Sequence, residues 1–248
     1  MDADEALSRL RALGFGEADA AELWAHFDGA ERRGKQGHGH ARIPWLEALE
    51  GYDPSAEPSL VEDEDGFQRW HGGGAIGYLV LGRVVRAQLE RPPAHARLVI
   101  CERTFPTGML GHQVRRLAEG GLVALLTATS PRRLGHPDGG PKLAGTNPLA
   151  IGIPSSGGDP VVVDASMGAV TWGDVVAGLA REEELVPFGG EQAHKAFALA
   201  LGLQLLVDSL VRDEGHAAVL LVARREADPV PALRSLAAGV RLPGGNYN

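Results

Sequence analysis

The segment SPRRLGHPDGGPKLAGTNP, residues 130–148, decides the reading of this chain. It lies between two short apolar runs, LVALLT (122–127) and LAIGIP (149–154), each bounded by Gly, Pro, Ser or Asn, as buried strands are. Between those strands Gly139, Gly140 and Gly145 allow the backbone to approach a ligand closely. Thr146 and Asn147 bring a hydroxyl and an amide to the mouth of the second strand. The segment therefore reads as a binding loop.

Working outward, apolar residues recur at helical spacing over residues 2–13 (Ala6, Leu10, Leu13) and 17–33 (Ala20, Leu23, Trp24, Phe27), which predicts an N-terminal helical hairpin. Residues 52–66, rich in Pro, Asp, Glu and Ser, read as a surface connection. Helices are predicted over 74–90, 110–119, 172–184, 191–211 and 230–238, and strands over 97–101, 122–127, 149–153, 160–163 and 217–223. That alternation makes the chain α/β.

The sequence HGGGAIG contains a formal G-x-G-x-x-G at Gly72, Gly74 and Gly77, with Glu102 where a dinucleotide-binding βαβ unit would want an acid. The preceding DEDGFQRW is acidic and then aromatic, a poor buried parallel strand. The glycines are accordingly read as a closely packed helix start and not as a phosphate cradle.

The chain has 248 residues, 44% of them hydrophobic, enough for a substantial core. A net charge of −8 argues against a general nucleic-acid binder, which needs a basic surface. The single cysteine, Cys101, excludes an internal disulfide, and in RLVIC it reads as a packed strand residue. No apolar run approaches the roughly 18 residues of a membrane span, so a cytoplasmic protein with no membrane partner is expected.

Four further segments accompany GTNP in order: ERRGKQGHGHARIP (31–44), VVVDASMGAVTWG (161–173), HKAFALALGLQLLVDSL (194–210) and the tail LPGG (242–245). Together they resemble the malate/L-lactate dehydrogenase family, unrelated to the Rossmann-type lactate dehydrogenases, whose members include ureidoglycolate, sulfolactate and cyclic-imine-carboxylate oxidoreductases. The resemblance implies a non-Rossmann malate/L-sulfolactate dehydrogenase-like fold. Residues 1–70 would form an N-terminal helical, substrate-facing segment and 71–210 a mixed-sheet cofactor region. Residues 211–248 would form a strand and helix that complete the first domain. It also implies NAD or NADP as cofactor, a small carboxylate substrate and a homodimer. Family members are usually longer, and the missing length falls between Gly173 and Lys195 and after Leu210.

By resemblance, cofactor contacts fall on Ser130, Gly145, Thr146, Asn147, Asp164, Ala165, Ser166 and Lys195. His38 matches the family's Ser-His-Gly histidine, and Arg42 the arginine that grips the substrate carboxylate, for which a planar fork of donors is suited. No role is implied for His40. Two departures matter. Pro106 stands where the family has a second, proton-transferring histidine, and Gly37 stands where it has serine. Thr107 is left to contact substrate, and His112, in the adjoining helix, could replace the lost acid only if it turns inward. The expected activity is NAD(P)H-dependent reduction of a small imine or 2-oxo acid, or the reverse oxidation of a 2-hydroxy acid, in specialised biosynthesis. The alternatives are a non-redox cyclisation, isomerisation or elimination on the same scaffold, and a non-catalytic binding subunit.

Overall fold

The computed structural model describes residues 1–244. Gly245, the last residue of the LPGG tail, lies outside the described residues. The N-terminal hairpin forms as predicted, α1 (Ala3–Ala12) capped by the Asp2 carboxylate and α2 (Glu17–Glu31), followed by the short α3 (Arg42–Glu47). Leu10, Leu23, Phe27, Ile43 and Leu46 bury their side chains here together with Ile76, Tyr78 and Leu79.

The chain then enters a seven-stranded sheet, with β1 (Ser59–Glu64) antiparallel to β2 (Phe67–His71). The predicted surface connection is thus partly an edge strand. Its Glu62, Asp63 and Glu64 fit a strand with one side in solvent, where charge discourages further pairing. After β2 come α4 (Gly77–Glu90), β3 (Ala96–Glu102), α5 (Leu110–Glu119) and β4 (Leu122–Ala128). The 130–148 segment carries a small hairpin of β5 (Leu134–Gly135) and β6 (Lys142–Ala144), and leads to β7 (Leu149–Ile153) and β8 (Val161–Ala165). Next are α6 (Trp172–Val176), α7 (Ala193–Asp208), β9 (Ala218–Arg224) and α8 (Val230–Leu236).

The sheet order is β1-β2-β3-β9-β4-β7-β8, mixed, with β2 and β3 parallel and the other neighbours antiparallel. The C-terminal segment therefore supplies a central strand. Val80, Val84, Val114 and Leu117 from α4 and α5 pack on Val99, Cys101, Leu126, Leu220 and Val222, forming the main core. Cys101 is buried among them, and burial pushes its thiol up to about 12.

Two local predictions are corrected. FQRWH is a buried strand despite its polarity, because Arg69 pairs with Glu102 at 2.7 Å and the Gln68 carbonyl accepts from Gln88 at 2.7 Å and Trp70 at 3.3 Å. The helix predicted over 172–184 stops at Val176: Thr171 and Asp174 form a capping box at its start, and Gly178, at φ 71°, turns the chain away at its end.

β2, α4 and β3 do form a parallel β-α-β unit, yet its glycines face protein. A Cβ at Gly72 would stand 2.1 Å from the Arg103 carbonyl oxygen, and one at Gly77 2.7 Å from that of Pro106. Gly72 and Gly77 thus serve close packing at the helix start, as predicted, here against the 103–109 loop.

Candidate functional site

The 103–109 loop, held by those glycines, forms one wall of a cavity of about 190 Å³. The rest of the lining comes from the 34–45 segment, which runs from the end of α2 into α3, and from both ends of the 130–148 and 164–174 segments. His38, Arg42, Thr107, Ser130, Thr146, Asp164 and Ser166 all line it, so the fold gathers seven of the thirteen predicted site residues in one place.

Arg42 is 6% exposed. Its Nε donates to the Gly37 carbonyl at 2.8 Å, and its guanidinium lies 4.6 Å from the centre of the Trp45 ring. Among the described residues no carboxylate forms a salt bridge with it. A buried cation without a counter-ion is costly unless something else neutralises it. Gly37 itself does not line the cavity. A Cβ there would meet the Asp174 carboxylate at 2.2 Å and its backbone nitrogen at 2.6 Å, so α6 occupies the space a serine side chain would need.

His38 sits at the end of the single-turn helix Gln36–His38, with a buried Nδ1 that has no hydrogen-bond partner among the described residues. Burial, reinforced by the Arg42 cation, lowers its pKa to about 3, so the ring is neutral near pH 7. His112 is not in the cavity. It turns toward α2, its ring 4.6 Å from that of His26, and burial together with Arg116 lowers it to about 4. It therefore does not stand in for the missing histidine, whose position, Pro106, lines the cavity wall.

The predicted cofactor set divides in the same way. Ser130 and Thr146 face the cavity with hydroxyls 3.5 Å apart. Asp164 accepts from the Gly111 backbone at 2.9 Å, and burial raises its pKa. The Ser166 hydroxyl accepts from the Gly168 backbone at 3.0 Å. Asn147, by contrast, is fully buried away from the cavity: its amide nitrogen donates to Ala200 and Gln204 at 2.9 and 3.0 Å, and its carbonyl accepts from Ser130 at 3.2 Å. It stitches the loop to α7. Gly145 is buried beneath Ser130, where a Cβ would come within 2.3 Å of the hydroxyl. Ala165 and Lys195 are exposed and do not line this cavity.

Sequence reasoning missed Lys35, Tyr78, Arg133 and Trp172, which also line the cavity, with Arg133 3.6 Å over the Trp172 ring. Lys35 was legible as the cation inside the quoted ERRGKQGHGH segment; Tyr78 carried no signal apart from its place at the start of α4. A second cavity of about 360 Å³ shares Lys35, Met109 and Asp164 with the first. Arg33, Lys35, Arg115 and Arg241 line it against the one carboxylate of Asp164. This cationic donor set suits the phosphates of a dinucleotide, and the hydroxyls of the first cavity suit its ribose and amide.

The chain is similar to known proteins in sequence and in fold. A family model described as malate/L-lactate dehydrogenase matches residues 4–189. A (2R)-3-sulfolactate dehydrogenase (NADP(+)) from Chromohalobacter salexigens is 30% identical over 178 residues, 69% of this chain and 52% of that protein. A Δ1-pyrroline-2-carboxylate/Δ1-piperideine-2-carboxylate reductase from Pseudomonas syringae pv. tomato is 34% identical over 170 residues, 64% of this chain and 48% of that protein. The chain thus spans about half the length of these curated relatives. The crystal structure of the Pseudomonas syringae Δ1-piperideine-2-carboxylate reductase superposes with a TM-score of 0.81 at 24% identity, covering 98% of this chain and 89% of that one. Malate dehydrogenase from Pyrococcus horikoshii gives 0.80 at 18% identity, over 99% and 81%. The seven-stranded mixed sheet, the N-terminal helices and the family match over residues 4–189 together place this chain in the malate/L-lactate dehydrogenase family, a family of NAD(P)-dependent oxidoreductases.

Proposed function

We propose that the protein is an NAD(P)H-dependent reductase of a small carboxylate that carries a C=N or C=O group next to the acid. The observation that carries this reading is Arg42, a buried guanidinium that lines the cavity and has no carboxylate counter-ion among the described residues. A substrate carboxylate supplies that counter-ion, and a charge-assisted hydrogen bond to it is worth about 1.5–3 kcal/mol.

The reduced nicotinamide, when bound, supplies the hydride. The chain's own residues do the rest. Arg42 fixes the carboxylate, and with it the orientation of the adjacent C=N or C=O. Trp45 covers the guanidinium, and Pro106 and Met109 give the cavity an apolar wall that excludes water from the reacting centre. Lys35, Ser130, Thr146 and Ser166 provide donors for an amide and a ribose, and Arg33, Lys35 and Arg115 provide cations for phosphates. A cyclic imine carboxylate is favoured over an open 2-oxo acid because its ring nitrogen takes up a proton readily, which eases hydride delivery where Pro106 replaces a histidine.

The test is a titration of NADH and NADPH followed by nicotinamide fluorescence, then turnover with Δ1-pyrroline-2-carboxylate, Δ1-piperideine-2-carboxylate and pyruvate. Fluorescence enhancement and oxidation of the reduced cofactor with a cyclic imine are expected. Flat titrations with both cofactors, from folded protein, would overturn the proposal in favour of non-redox chemistry.

A further inference from the structure

Pro106 leaves the reductase reading without an evident proton donor, and one side chain on the cavity wall meets the need. Tyr78, the second residue of α4, lines the cavity together with His38, Arg42 and Thr107. It is 1% exposed, and its hydroxyl is buried with no hydrogen-bond partner among the described residues. A hydroxyl stripped of water without a partner costs about 1–3 kcal/mol, an arrangement that persists where a ligand completes it.

The ring is held in place from three sides. The His26 ring meets it at 90° with centroids 4.9 Å apart, and Phe27 meets it edge-on at 5.2 Å. Gly108, at φ 68°, brings its backbone against the ring so closely that a Cβ there would stand 2.1 Å from Cε1. His26 is itself fixed, its Nε2 accepting the Met109 N–H at 3.0 Å. The phenol therefore has one position, at the wall where Arg42 would hold a substrate carboxylate.

We propose, resting on the reductase reading above, that Tyr78 is the catalytic residue that donates the proton, its hydroxyl facing the imine nitrogen or carbonyl oxygen of a substrate anchored by Arg42. In the step, the C=N or C=O carbon gains a hydride with its electron pair from the reduced nicotinamide dinucleotide, which is oxidised. The Tyr78 O–H bond breaks, its proton goes to the nitrogen or oxygen, and the phenolate regains a proton from water when product leaves. His38 is poorly placed to be that acid as an imidazolium, because burial and Arg42 keep it neutral. Burial raises the Tyr78 phenol and so keeps it protonated, while the Arg42 charge acts in the opposite direction, favouring the transient phenolate.

The test is Tyr78→Phe, which removes only the unpartnered hydroxyl and so is expected to fold. Turnover with reduced cofactor and a cyclic imine carboxylate should fall about a hundredfold in kcat, with KM within about threefold, the loss expected for general acid catalysis. Independently of turnover, binding of pyrrole-2-carboxylate, a planar analogue that cannot be reduced, should shift the alkaline tyrosinate absorbance titration of the wild type, and Tyr78→Phe should lose that shift. Replacing the tyrosines with fluorotyrosine, whose phenol is more acidic, should move the alkaline limb of the kcat profile to lower pH. Wild-type turnover with an unchanged kcat in Tyr78→Phe would overturn the assignment and leave the reductase reading standing. Absence of cofactor binding in the wild type would overturn both.

Discussion

Acidification from pH 7.5 to pH 5 should destabilise this protein by about 4 kcal/mol. His38 and His112 have folded pKa values of about 3 and about 4, against an unfolded value near ~6.5. A folded value below the unfolded one means that the unfolded chain binds protons the native state refuses. The contribution is fully present above about pH 6.5 and is lost as pH falls toward the two folded values. At pH 5 each site has lost about 1.5 pH units at ~1.36 kcal/mol per unit, or about 2 kcal/mol. Burial also lowers His26 and His216, which adds in the same direction. Asp164 opposes: burial raises its pKa, so the native state takes its proton first and regains stability on acidification. The carboxylates lowered by partners, such as Asp63 beside Gln68 and Arg91, lose stability only below about pH 4 and stay out of this window. Against a total of about 5–15 kcal/mol, the predicted loss is large. Urea denaturation measures it directly: with an m-value near ~3 kcal/mol/M, the midpoint should fall by about 1.3 M between pH 7.5 and pH 5. His112→Gln should reduce that shift by about 0.7 M. A midpoint independent of pH, or a variant that keeps the whole shift, would refute the assignment of these rings as buried and neutral.

Arg42→Lys keeps the charge but loses the planar fork and the bond to Gly37, so steady-state kinetics should show KM for the carboxylate substrate raised about 10–100-fold with kcat changed less. Gly37→Ser, which restores the family residue, should lower stability by about 1–3 kcal/mol in the same denaturation assay, because its Cβ would overlap Asp174 and the start of α6. Asn147→Ala leaves Ser130, Ala200 and Gln204 without their partner and should cost about 2–4 kcal/mol, while cofactor affinity measured on the remaining folded protein changes less than about threefold.

The elements that were legible in sequence are those whose burial follows a simple period. The amphipathic α1, α4 and α5, and the apolar β3, β4, β7 and β9, lie within a few residues of their predicted positions. β2 was not legible, because its buried side chains are Gln68, Arg69 and Trp70, and only the partners Gln88 and Glu102, distant in sequence, make their burial affordable. The same limit divides the site. Motif resemblance found seven of the residues that line the cavity, including Arg42 and His38, but it could not separate Asn147, whose amide is consumed by α7, from Thr146 beside it. Which way α5 turns His112 depends on His26 across the helix interface, a contact that no local pattern encodes.

The position of β9 bears on how the chain reaches its native state. Among the described residues, strands β1, β2 and β3 on one side and β4, β7 and β8 on the other are hydrogen-bonded into one sheet only through residues 218–224. During synthesis on the ribosome, every other strand emerges before the one that joins the two half-sheets. Until then β3 and β4 each offer an unpaired, apolar edge, the kind of surface that recruits chaperones or aggregates. Formation of the sheet is therefore a late, non-local event, and nascent chains stalled before residue 218 should remain protease-sensitive however well their helices have formed.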